Sequence, residues 1–227
     1  MIEETIEDKT LRQLLIEKDE VSLCNLEGTI LGRADKFAAH KYPSQLHLAI
    51  SVWLFNSNGQ VLFQKRSKKK IVGADWWANT VCGNVWPTET FYDCALRRLK
   101  VELGITSGFT LTPVYKFAYK AYGNETYGEH ELDQVYVGLY EGVVAPNPDE
   151  ASEYCWVDFS ELFGKTSVLE YSSAGQSLLL DGKELREKTP TVVVKVGTQE
   201  LKIAPWTLFM LQNPQLFDAF KQALNKK

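Results

Sequence analysis

Residues 81–105 read VCGNVWPTETFYDCALRRLKVELGI and place the end of a strand, a loop and a helix next to one another. Thr90 with Asp93 predicts the start of the helix, and Gly104 predicts its end. At the end of the predicted strand, Cys82 offers a thiol that can act as a nucleophile or as an acid. A thiol, two adjacent guanidinium groups and a carboxylate predict a site for a phosphorylated substrate and a metal ion, formed by Cys82, Arg97, Arg98 and Glu102.

Hairpins surround this stretch. A tight type I′ turn is predicted at Asn58-Gly59, between two strands. The predicted strands span residues 20–24, 29–33, 46–55, 61–65, 76–82, 113–122 and 129–141, and a further hairpin spans 191–203. The other predicted helices span residues 4–18 and 158–163 and begin at Pro205 and Pro214. Because the strands come mostly as hairpins with one central helix, the pattern favours an α+β fold over an alternating parallel sheet.

The composition is that of a globular protein with one domain. The chain has 227 residues, of which 44% are hydrophobic and 24% charged, so a sizeable core is expected. A formal net charge of −4 gives no indication of a nucleic-acid partner. No apolar run has the length of a membrane span, and residues 1–20 do not resemble a signal peptide. The four cysteines form no C-x-x-C pair. We therefore expect a cytoplasmic protein with free thiols and no membrane insertion.

Two glutamates and two histidines are candidates for a metal site. Glu129 and Glu131 lie two residues apart on a predicted strand, so both point to one face, where their charges repel unless a cation or a proton relieves them. His47 opens an apolar strand, and His40 lies shortly before it. Two imidazoles with two carboxylates suit Zn²⁺, Mn²⁺ or Fe²⁺. From these residues alone, a core histidine and a solvated pair of acids remain open alternatives.

Cationic side chains could neutralise a diphosphate, and a carboxylate could hold a Mg²⁺ ion that also binds its oxygens. Residues 65–70 read KRSKKK, which is typical of a solvated turn and equally of a phosphate-binding loop. Arg98 and Glu102 are four residues apart, so an ordinary ion pair on a helix surface is the alternative to a role in a site. The candidates for diphosphate and Mg²⁺ are Arg66, Lys70, Arg97, Arg98 and Glu102.

Six motifs together resemble the type I isopentenyl diphosphate isomerases, which are built on the Nudix fold. Their order and approximate spacing are those of the family, and the resemblance covers residues 35–206, most of the chain. It implies a single domain over residues 1–227 with mixed β-sheets and flanking helices. An N-terminal extension (1–45), a Nudix core (46–165) and a C-terminal elaboration (166–227) are expected. The motifs are KFAAH (36–40) with LHLA (46–49), QKRS (64–67), NTVCG (79–83), RRLKVELG (97–104), GEHELD (128–133) and APW (204–206).

The resemblance implies a metal-dependent interconversion of isopentenyl and dimethylallyl diphosphate, with a small-molecule prenyl diphosphate as the partner. It maps the two groups that flank the alkene to Cys82 and Glu131, of which one protonates the alkene and the other removes a proton from the opposite side, with Tyr119 assisting Glu131. Trp206 maps to an aromatic group that stabilises a cationic transition state. The implied cofactors are Mg²⁺ with the diphosphate and a second divalent metal, Mn²⁺, Zn²⁺ or Mg²⁺. The implied ligands and phosphate-binding residues are His40, His47, Glu102, Glu129, Glu131, Lys36, Arg66, Lys70 and Arg97, with Arg98 adjacent.

One departure concerns the metal site. The family usually has a third metal-binding histidine two residues after the cysteine, and this position is Asn84. An amide oxygen can bind a metal, but it is a harder donor that suits Mg²⁺ or Mn²⁺ better than Zn²⁺. Asn84 is therefore a metal ligand only if the site tolerates this change. It is also the one residue that favours a diverged relative that binds prenyl diphosphates with low activity.

A Nudix diphosphate hydrolase is the other alternative. The hydrolase box runs G-x5-E-x7-R-E-U-x-E-E-x-G-U, where U is aliphatic, and two of its glutamates bind metal. This chain keeps most of the box but has Arg98 and Val101 at the positions of two glutamates. Their loss disfavours hydrolysis and agrees with the isomerase pattern.

Overall fold

The computed structural model describes residues 20–166, 183, 185–186 and 192–225. The helix predicted over residues 4–18 and much of the elaboration after residue 166 lie outside the described residues. Within the described ranges, no helix is long and apolar enough to cross a bilayer.

The strands and helices follow one another in an order close to the predicted one. The strands are β1 (Glu20–Cys24), β2 (Ile30–Asp35), β3 (His47–Phe55), β4 (Gln60–Arg66), β5 (Trp77–Ala78), β6 (Val81–Asn84), β7 (Thr112–Tyr122), β8 (Gly128–Leu139), β9 (Ala151–Asp158), β10 (Val192–Val196) and β11 (Gln199–Ile203). The helices are α1 (Lys36–His40), α2 (Phe91–Leu103), α3 (Phe159–Thr166), α4 (Pro205–Leu211) and α5 (Pro214–Leu224).

Strand β3 is the centre of a mixed sheet. It pairs in parallel with β8 over its whole length, from His47 opposite Glu131 to Phe55 opposite Leu139. On its other side it pairs antiparallel with β6, where Ser51 lies opposite Cys82. Strand β7 extends the sheet beyond β8, and β4 carries β9 and β5 on its two sides. The hairpin of β10 and β11 joins through β5. Mixed strand directions with helices packed on them confirm the predicted α+β class.

The two faces of β3 belong to different parts of the core, because successive side chains of a strand point to opposite faces. The even positions Leu48, Ile50, Val52 and Leu54 form one apolar cluster with the buried side of α2. On the other face, Trp53 and Phe55 pack in the cluster that includes α4 and α5. Fully burying a Leu or Ile side chain stabilises the fold by about 1.5–3 kcal/mol. The remaining odd positions of β3 are free to carry a polar site.

Helix α2 begins and ends where the sequence predicts. The Thr90 hydroxyl accepts a hydrogen bond from the Asp93 N–H at 3.1 Å, and the Asp93 carboxylate accepts one from the Thr90 N–H at 3.2 Å. Such a cap stabilises a helix by about 1 kcal/mol. Gly104 ends the helix with φ of 67°, a conformation that favours glycine. The helix therefore presents Arg97 and Arg98 at a fixed place beside the sheet.

The single strand predicted over residues 76–82 is wrong, because the segment is broken into β5 and β6. Between these two strands, side chains form the hydrogen bonds to neighbouring strands that the backbone forms elsewhere in the sheet. The Thr80 hydroxyl accepts a hydrogen bond from the Leu54 N–H and donates one to the Leu62 carbonyl, both at 2.8 Å. The Asn79 amide donates to the Val52 carbonyl at 3.1 Å. These side chains meet backbone groups from other strands, which a local sequence pattern does not reveal.

The predicted type I′ turn at Asn58-Gly59 is also wrong. A type I′ turn needs positive φ at both central residues, but only Gly59 has it, at 78°. The Asn56 side-chain oxygen accepts hydrogen bonds from the Asn58 and Gln60 N–H groups, each at 3.0 Å. This side chain closes a different turn one residue earlier and leaves Asn58 in an ordinary conformation.

Candidate functional site

Strand register brings the predicted site residues to one face of the sheet. Residues directly opposite one another on paired strands point to the same side. Glu131 lies opposite His47 on β3 and opposite Tyr119 on β7, while Cys82 lies opposite Ser51. Because His47 and Ser51 are four residues apart on β3, these side chains all share its odd face. Residues from distant parts of the chain, from His47 to Glu131, thus reach a single site because alternate side chains of a strand share one face.

This face forms the floor of a cavity of ≈ 460 Å³. His47 and Glu102 do not contribute to its wall; both are fully buried behind it. The other predicted site residues all line it: Lys36, His40, Arg66, Lys70, Cys82, Asn84, Arg97, Arg98, Tyr119, Glu129, Glu131 and Trp206.

The four predicted metal ligands other than Glu102 and Asn84 form one buried cluster. One ligand atom from each of His40, His47, Glu129 and Glu131 lies within 4.8 Å of the others. The His40 Nδ1 lies 2.7 Å from the Lys36 carbonyl oxygen, and the His47 Nδ1 lies 2.8 Å from that of Gln45. A carbonyl only accepts, so each Nδ1 carries the hydrogen and each Nε2 points into the cluster. Such backbone contacts orient histidines that bind metals.

The electrostatics of the cluster fit a cation. Burial alone would lower the pKa of His40 and raise that of Glu129, but the two groups are 3.0 Å apart. Their attraction raises the pKa of His40 above its usual value and lowers that of Glu129 to about 2. Among the described residues, His47 Nε2 is buried without a hydrogen-bond partner, and the buried Glu129 Oε2 has only its contact with His40 Nε2. Unpartnered buried acceptors are costly, and a divalent cation held by two imidazoles and two carboxylates would satisfy them.

Divalent metal is therefore expected to raise the melting temperature of the protein. A metal at a hundredfold excess over its Kd stabilises the native state by about 2.7 kcal/mol, roughly 5–10 °C for a chain of this size. Thermal denaturation with Mn²⁺ or Zn²⁺ against EDTA measures the shift. His47→Gln should reduce the shift by more than half. His130→Gln is the matched control, because the His130 side chain bonds the Ser44 carbonyl instead. Equal shifts in both variants would contradict this site.

Cys82 is held as a protonated thiol. Its Sγ lies 3.2 Å from the Asn79 Oδ1 and 3.6 Å from the Ser51 hydroxyl. Burial, and next the neighbouring carboxylate of Asp133, raise its pKa to about 12. A thiol in such surroundings carries its proton at neutral pH and can donate it as a general acid.

Glu131 and Tyr119 form the second candidate group for proton transfer. The Tyr119 hydroxyl donates a hydrogen bond to the Glu131 Oε2. Burial, followed by the charge of Glu131, raises the pKa of Tyr119 well above its usual value, so the phenol keeps its proton. Glu131 Oε1 lies 3.6 Å from His47 Nε2. One oxygen of Glu131 thus faces the metal cluster and the other faces Tyr119.

Sequence reasoning missed the groups that hold the thiol. The Asn79 amide donates to the Val52 and Val81 carbonyls, at 3.1 and 3.0 Å, which fixes its Oδ1 as an acceptor. The Thr207 hydroxyl donates to this Oδ1 at 3.0 Å. Ser51 donates to the Asp133 carboxylate at 2.7 Å. Asn79 and Asp133 fall inside motifs that resemble the family, whereas nothing in the sequence marks Ser51 and Thr207.

Four cationic side chains line the same cavity: Lys36, Arg66, Lys70 and Arg98. Burial, and next the charge of Arg98, lower the pKa of Lys36. Burial lowers the pKa of Lys70 to about 8. The Arg66 guanidinium lies over the Trp206 ring, 5.0 Å from its centroid, and donates to the Val72 carbonyl at 2.9 Å. Buried like charges repel, so the cluster favours an anionic ligand.

The remaining predicted site residues, Arg97, Arg98 and Glu102, make ion pairs within the protein. The Arg97 guanidinium lies 3.7 Å from the centroid of the Trp86 ring and is paired with Glu89. Arg98 donates to the fully buried Glu102 at 2.6 Å, and Gln64 donates to its other oxygen, also at 2.6 Å. Cation binding by Glu102 would require Arg98 to move, and this role stays a prediction. Asn84 lines the same cavity as the cluster, and its backbone carbonyl accepts a hydrogen bond from Arg97 at 3.0 Å.

Comparison with known proteins agrees with this architecture. The family model for the NUDIX domain matches residues 45–175. An isopentenyl-diphosphate Delta-isomerase from Klebsiella pneumoniae subsp. pneumoniae is 32% identical over 180 residues, which cover 78% of this chain and 97% of the relative. Isopentenyl-diphosphate Delta-isomerase 1 from Aromatoleum aromaticum is 38% identical over 145 residues, covering 64% of this chain and 80% of the relative.

A solved structure of a protein from Deinococcus radiodurans shares the fold. It superposes with a TM-score of 0.54 at 18% identity, covering 74% of this chain and 98% of the other. The matched family model and the extent of the similarity to curated relatives lead to one assignment. The chain belongs to the NUDIX domain family and, within it, to the isopentenyl-diphosphate Delta-isomerases.

Proposed function

We propose that the protein interconverts isopentenyl diphosphate and dimethylallyl diphosphate by moving a proton on and off the alkene. The observation that carries this proposal is that a protonated thiol, Cys82, and a carboxylate, Glu131, face the same cavity from strands on either side of β3. A double-bond shift requires one group that donates a proton and another that removes a different one. The cation cluster in the same wall would hold the diphosphate.

The proposed reaction proceeds through a cationic transition state. In the forward direction the Cys82 thiol would donate a proton to the terminal alkene carbon, and the Glu131 carboxylate would remove one from the carbon next to the one that bears the diphosphate. The enzyme is reset when Glu131 gives up this proton and the Cys82 thiolate regains one, by exchange with water. The ring of Trp206, which is 2% exposed, lies in the wall, where its π face would stabilise positive charge. Tyr119 and Trp206 are buried and add aromatic surface to that wall, which would help to keep water away from a cation.

Metal ions have two proposed places. His40, His47, Glu129 and Glu131 would hold one divalent cation, and Glu102 would hold Mg²⁺ together with the diphosphate once Arg98 moves. When bound, these ions would neutralise the diphosphate and fix the orientation of the Glu131 carboxylate. The choice among Mn²⁺, Zn²⁺ and Mg²⁺ for the buried site depends on Asn84, whose amide oxygen favours the harder ions.

A Nudix hydrolase is the second candidate, and the surroundings of Arg98 argue against it. Hydrolases use the glutamates of the box to gather metal ions at the diphosphate. Here Arg98 occupies one of those positions and pairs with Glu102, while Val101 is 40% exposed. Two of the expected metal ligands are therefore replaced by a cation and an apolar group.

Incubation of the purified protein with isopentenyl diphosphate and Mg²⁺ distinguishes the candidates. Formation of dimethylallyl diphosphate without released phosphate would support the isomerase. Release of phosphate or of the monophosphate would support the hydrolase. Binding of substrate without either product would support a diverged binding protein.

Substrate binding is expected to weaken as the pH rises above about 8. The pKa of Lys70 is lowered to about 8 by burial, so its charge is lost over the pH range just above that value. Because the bound diphosphate favours the charged lysine, binding in this range should take up a proton. The pH profile of kcat/KM measures the effect. Lys70→Arg, which keeps the charge, should move the alkaline limb to higher pH, and an unchanged limb would contradict the assignment.

A small-molecule substrate and a cytoplasmic location are also proposed. All four cysteines are free thiols, which supports a reducing compartment. The basic side chains converge inside a cavity rather than along an open face, which supports a compact diphosphate instead of a nucleic acid as the ligand.

A further inference from the structure

A carboxylate lies among the cations proposed to bind the diphosphate. Glu150 Oε2 is 2.9 Å from the Arg98 guanidinium and is also paired with the Lys70 ammonium. The Glu150 side chain is 25% exposed and lines the cavity. It belongs to none of the sequence motifs, and the catalytic scheme gives it no role.

The position of Glu150 is fixed by its backbone. The Ser67 N–H donates to the Glu150 carbonyl at 3.0 Å, and the Glu150 N–H donates to the Asn147 carbonyl at 2.9 Å. The Asn147 N–H in turn donates to the Glu102 carbonyl at 2.8 Å. The turn formed by residues 147–150 is therefore hydrogen-bonded both to the basic loop after β4 and to the last turn of α2. Its carboxylate is directed at Lys70 and Arg98 by the fold itself.

The carboxylate of Glu150 attracts the charges of Lys70 and Arg98. Burial alone would raise the pKa of Glu150, but Arg98 and Lys70 lower it to about 2, so the carboxylate is ionised at any physiological pH. It offsets part of the repulsion among Lys36, Lys70 and Arg98. Each Lys70 or Arg98 N–H that bonds this carboxylate is not available to a diphosphate at the same time, and the negative charge of Glu150 repels the diphosphate.

We propose that Glu150 sets the affinity of the diphosphate subsite by competing with the diphosphate for Lys70 and Arg98. The carboxylate releases these cations when the ligand binds and takes them back when it leaves. This proposal rests on the proposed function, because it assumes that the subsite takes a diphosphate. Substrate and product carry the same diphosphate, so tighter binding of this group would hold both equally and would not raise kcat. A competing carboxylate keeps release rapid.

Calorimetric titration of inorganic pyrophosphate into EDTA-dialysed protein at pH 6.5 tests the proposal. Glu150→Gln is expected to lower the Kd about tenfold, or 1.4 kcal/mol, since the competitor loses its charge but keeps its shape. Glu153→Gln is the matched control. Glu153 is paired with Lys65 at 2.8 Å, is 55% exposed and does not line the cavity. It makes the same change in net charge, and its Kd should stay within twofold of the wild type.

A second variant separates charge from packing. Glu150→Asp keeps the charge and withdraws it by one methylene, so its Kd should fall between those of the wild type and Glu150→Gln. With isopentenyl diphosphate, Glu150→Gln should lower KM without raising kcat. Unchanged or weaker pyrophosphate binding in Glu150→Gln would overturn the proposal. So would weaker binding of Mg²⁺ alone in that variant, because Glu150 would then be a cation ligand.

The outcomes also separate this proposal from the proposed function. Wild-type protein that binds no pyrophosphate, either after EDTA dialysis or with Mg²⁺ added, would refute the diphosphate subsite as a whole. Wild-type binding that Glu150→Gln leaves unchanged would refute only the role of Glu150. Isomerisation is measured separately, by product formation.

Discussion

Replacement of Cys82 by alanine is expected to lower kcat by roughly 10²–10⁴-fold, the range that a positioned proton donor or acceptor contributes. The thiol is the only titratable side chain that β6 places on the cavity wall, and its raised pKa keeps it protonated at neutral pH. Removing it leaves the cation cluster and Glu131 in place. KM should therefore change little, and the loss should appear in kcat, measured by conversion of isopentenyl diphosphate to dimethylallyl diphosphate.

Two further variants sharpen this test. Cys155→Ala removes a half-buried thiol on β9 that does not line the cavity, so its activity should be close to that of the wild type. Cys82→Ser keeps a hydroxyl that can still donate to the Asn79 Oδ1, so it should fold as well as the wild type and remain strongly impaired. Wild-type turnover in Cys82→Ala would refute the acid role of Cys82 in the proposed mechanism.

Local signals predicted the parts of the fold that depend on neighbouring residues. The capping box of Thr90 with Asp93 and the glycine at position 104 define α2 because each group acts within one helical turn. The alternation along 129–133 correctly placed Glu129 and Glu131 on one face, because the period of a strand is two. These features need no knowledge of the rest of the chain.

The sequence could not reveal features that arise between distant segments. Thr80 interrupts a strand because it bonds the backbone of β3 and β4, and Asn79 meets Thr207 across 128 positions. Glu150 joins the cation cluster only because its turn is tied to the loop after β4 and to α2. In each case the partner is chosen by tertiary packing, which no local pattern or propensity encodes. The resemblance to a family supplied the long-range order of the main site, but not these supporting contacts.

Glu131→Gln is expected to reduce kcat by a similar factor, roughly 10²–10⁴, and this loss should persist at saturating metal. Glutamine keeps the size of the side chain and an oxygen for the cluster, but it cannot take up a proton. With its oxygen toward the cluster, glutamine turns its NH₂ group toward Tyr119, whose hydroxyl oxygen can accept a hydrogen bond from it, so the shape of the wall should be preserved. Kinetics at increasing Mn²⁺ concentration, with thermal denaturation as a check of folding, measure the effect.

Glu129→Gln is the matched comparison, because it makes the same change two residues away on the same strand face. Glu129 contacts His40 at 3.0 Å, and within the described part of the chain no tyrosine is shown to donate to it as Tyr119 donates to Glu131. If Glu129 only binds metal, its variant should need more Mn²⁺ and recover most of its kcat when the site is saturated. Recovery of Glu131→Gln under the same conditions would show that Glu131 also acts only as a ligand. One metal titration therefore distinguishes a glutamate that acts as a base from a glutamate that only binds metal. The distinction is expected because Tyr119 donates its hydrogen bond to Glu131.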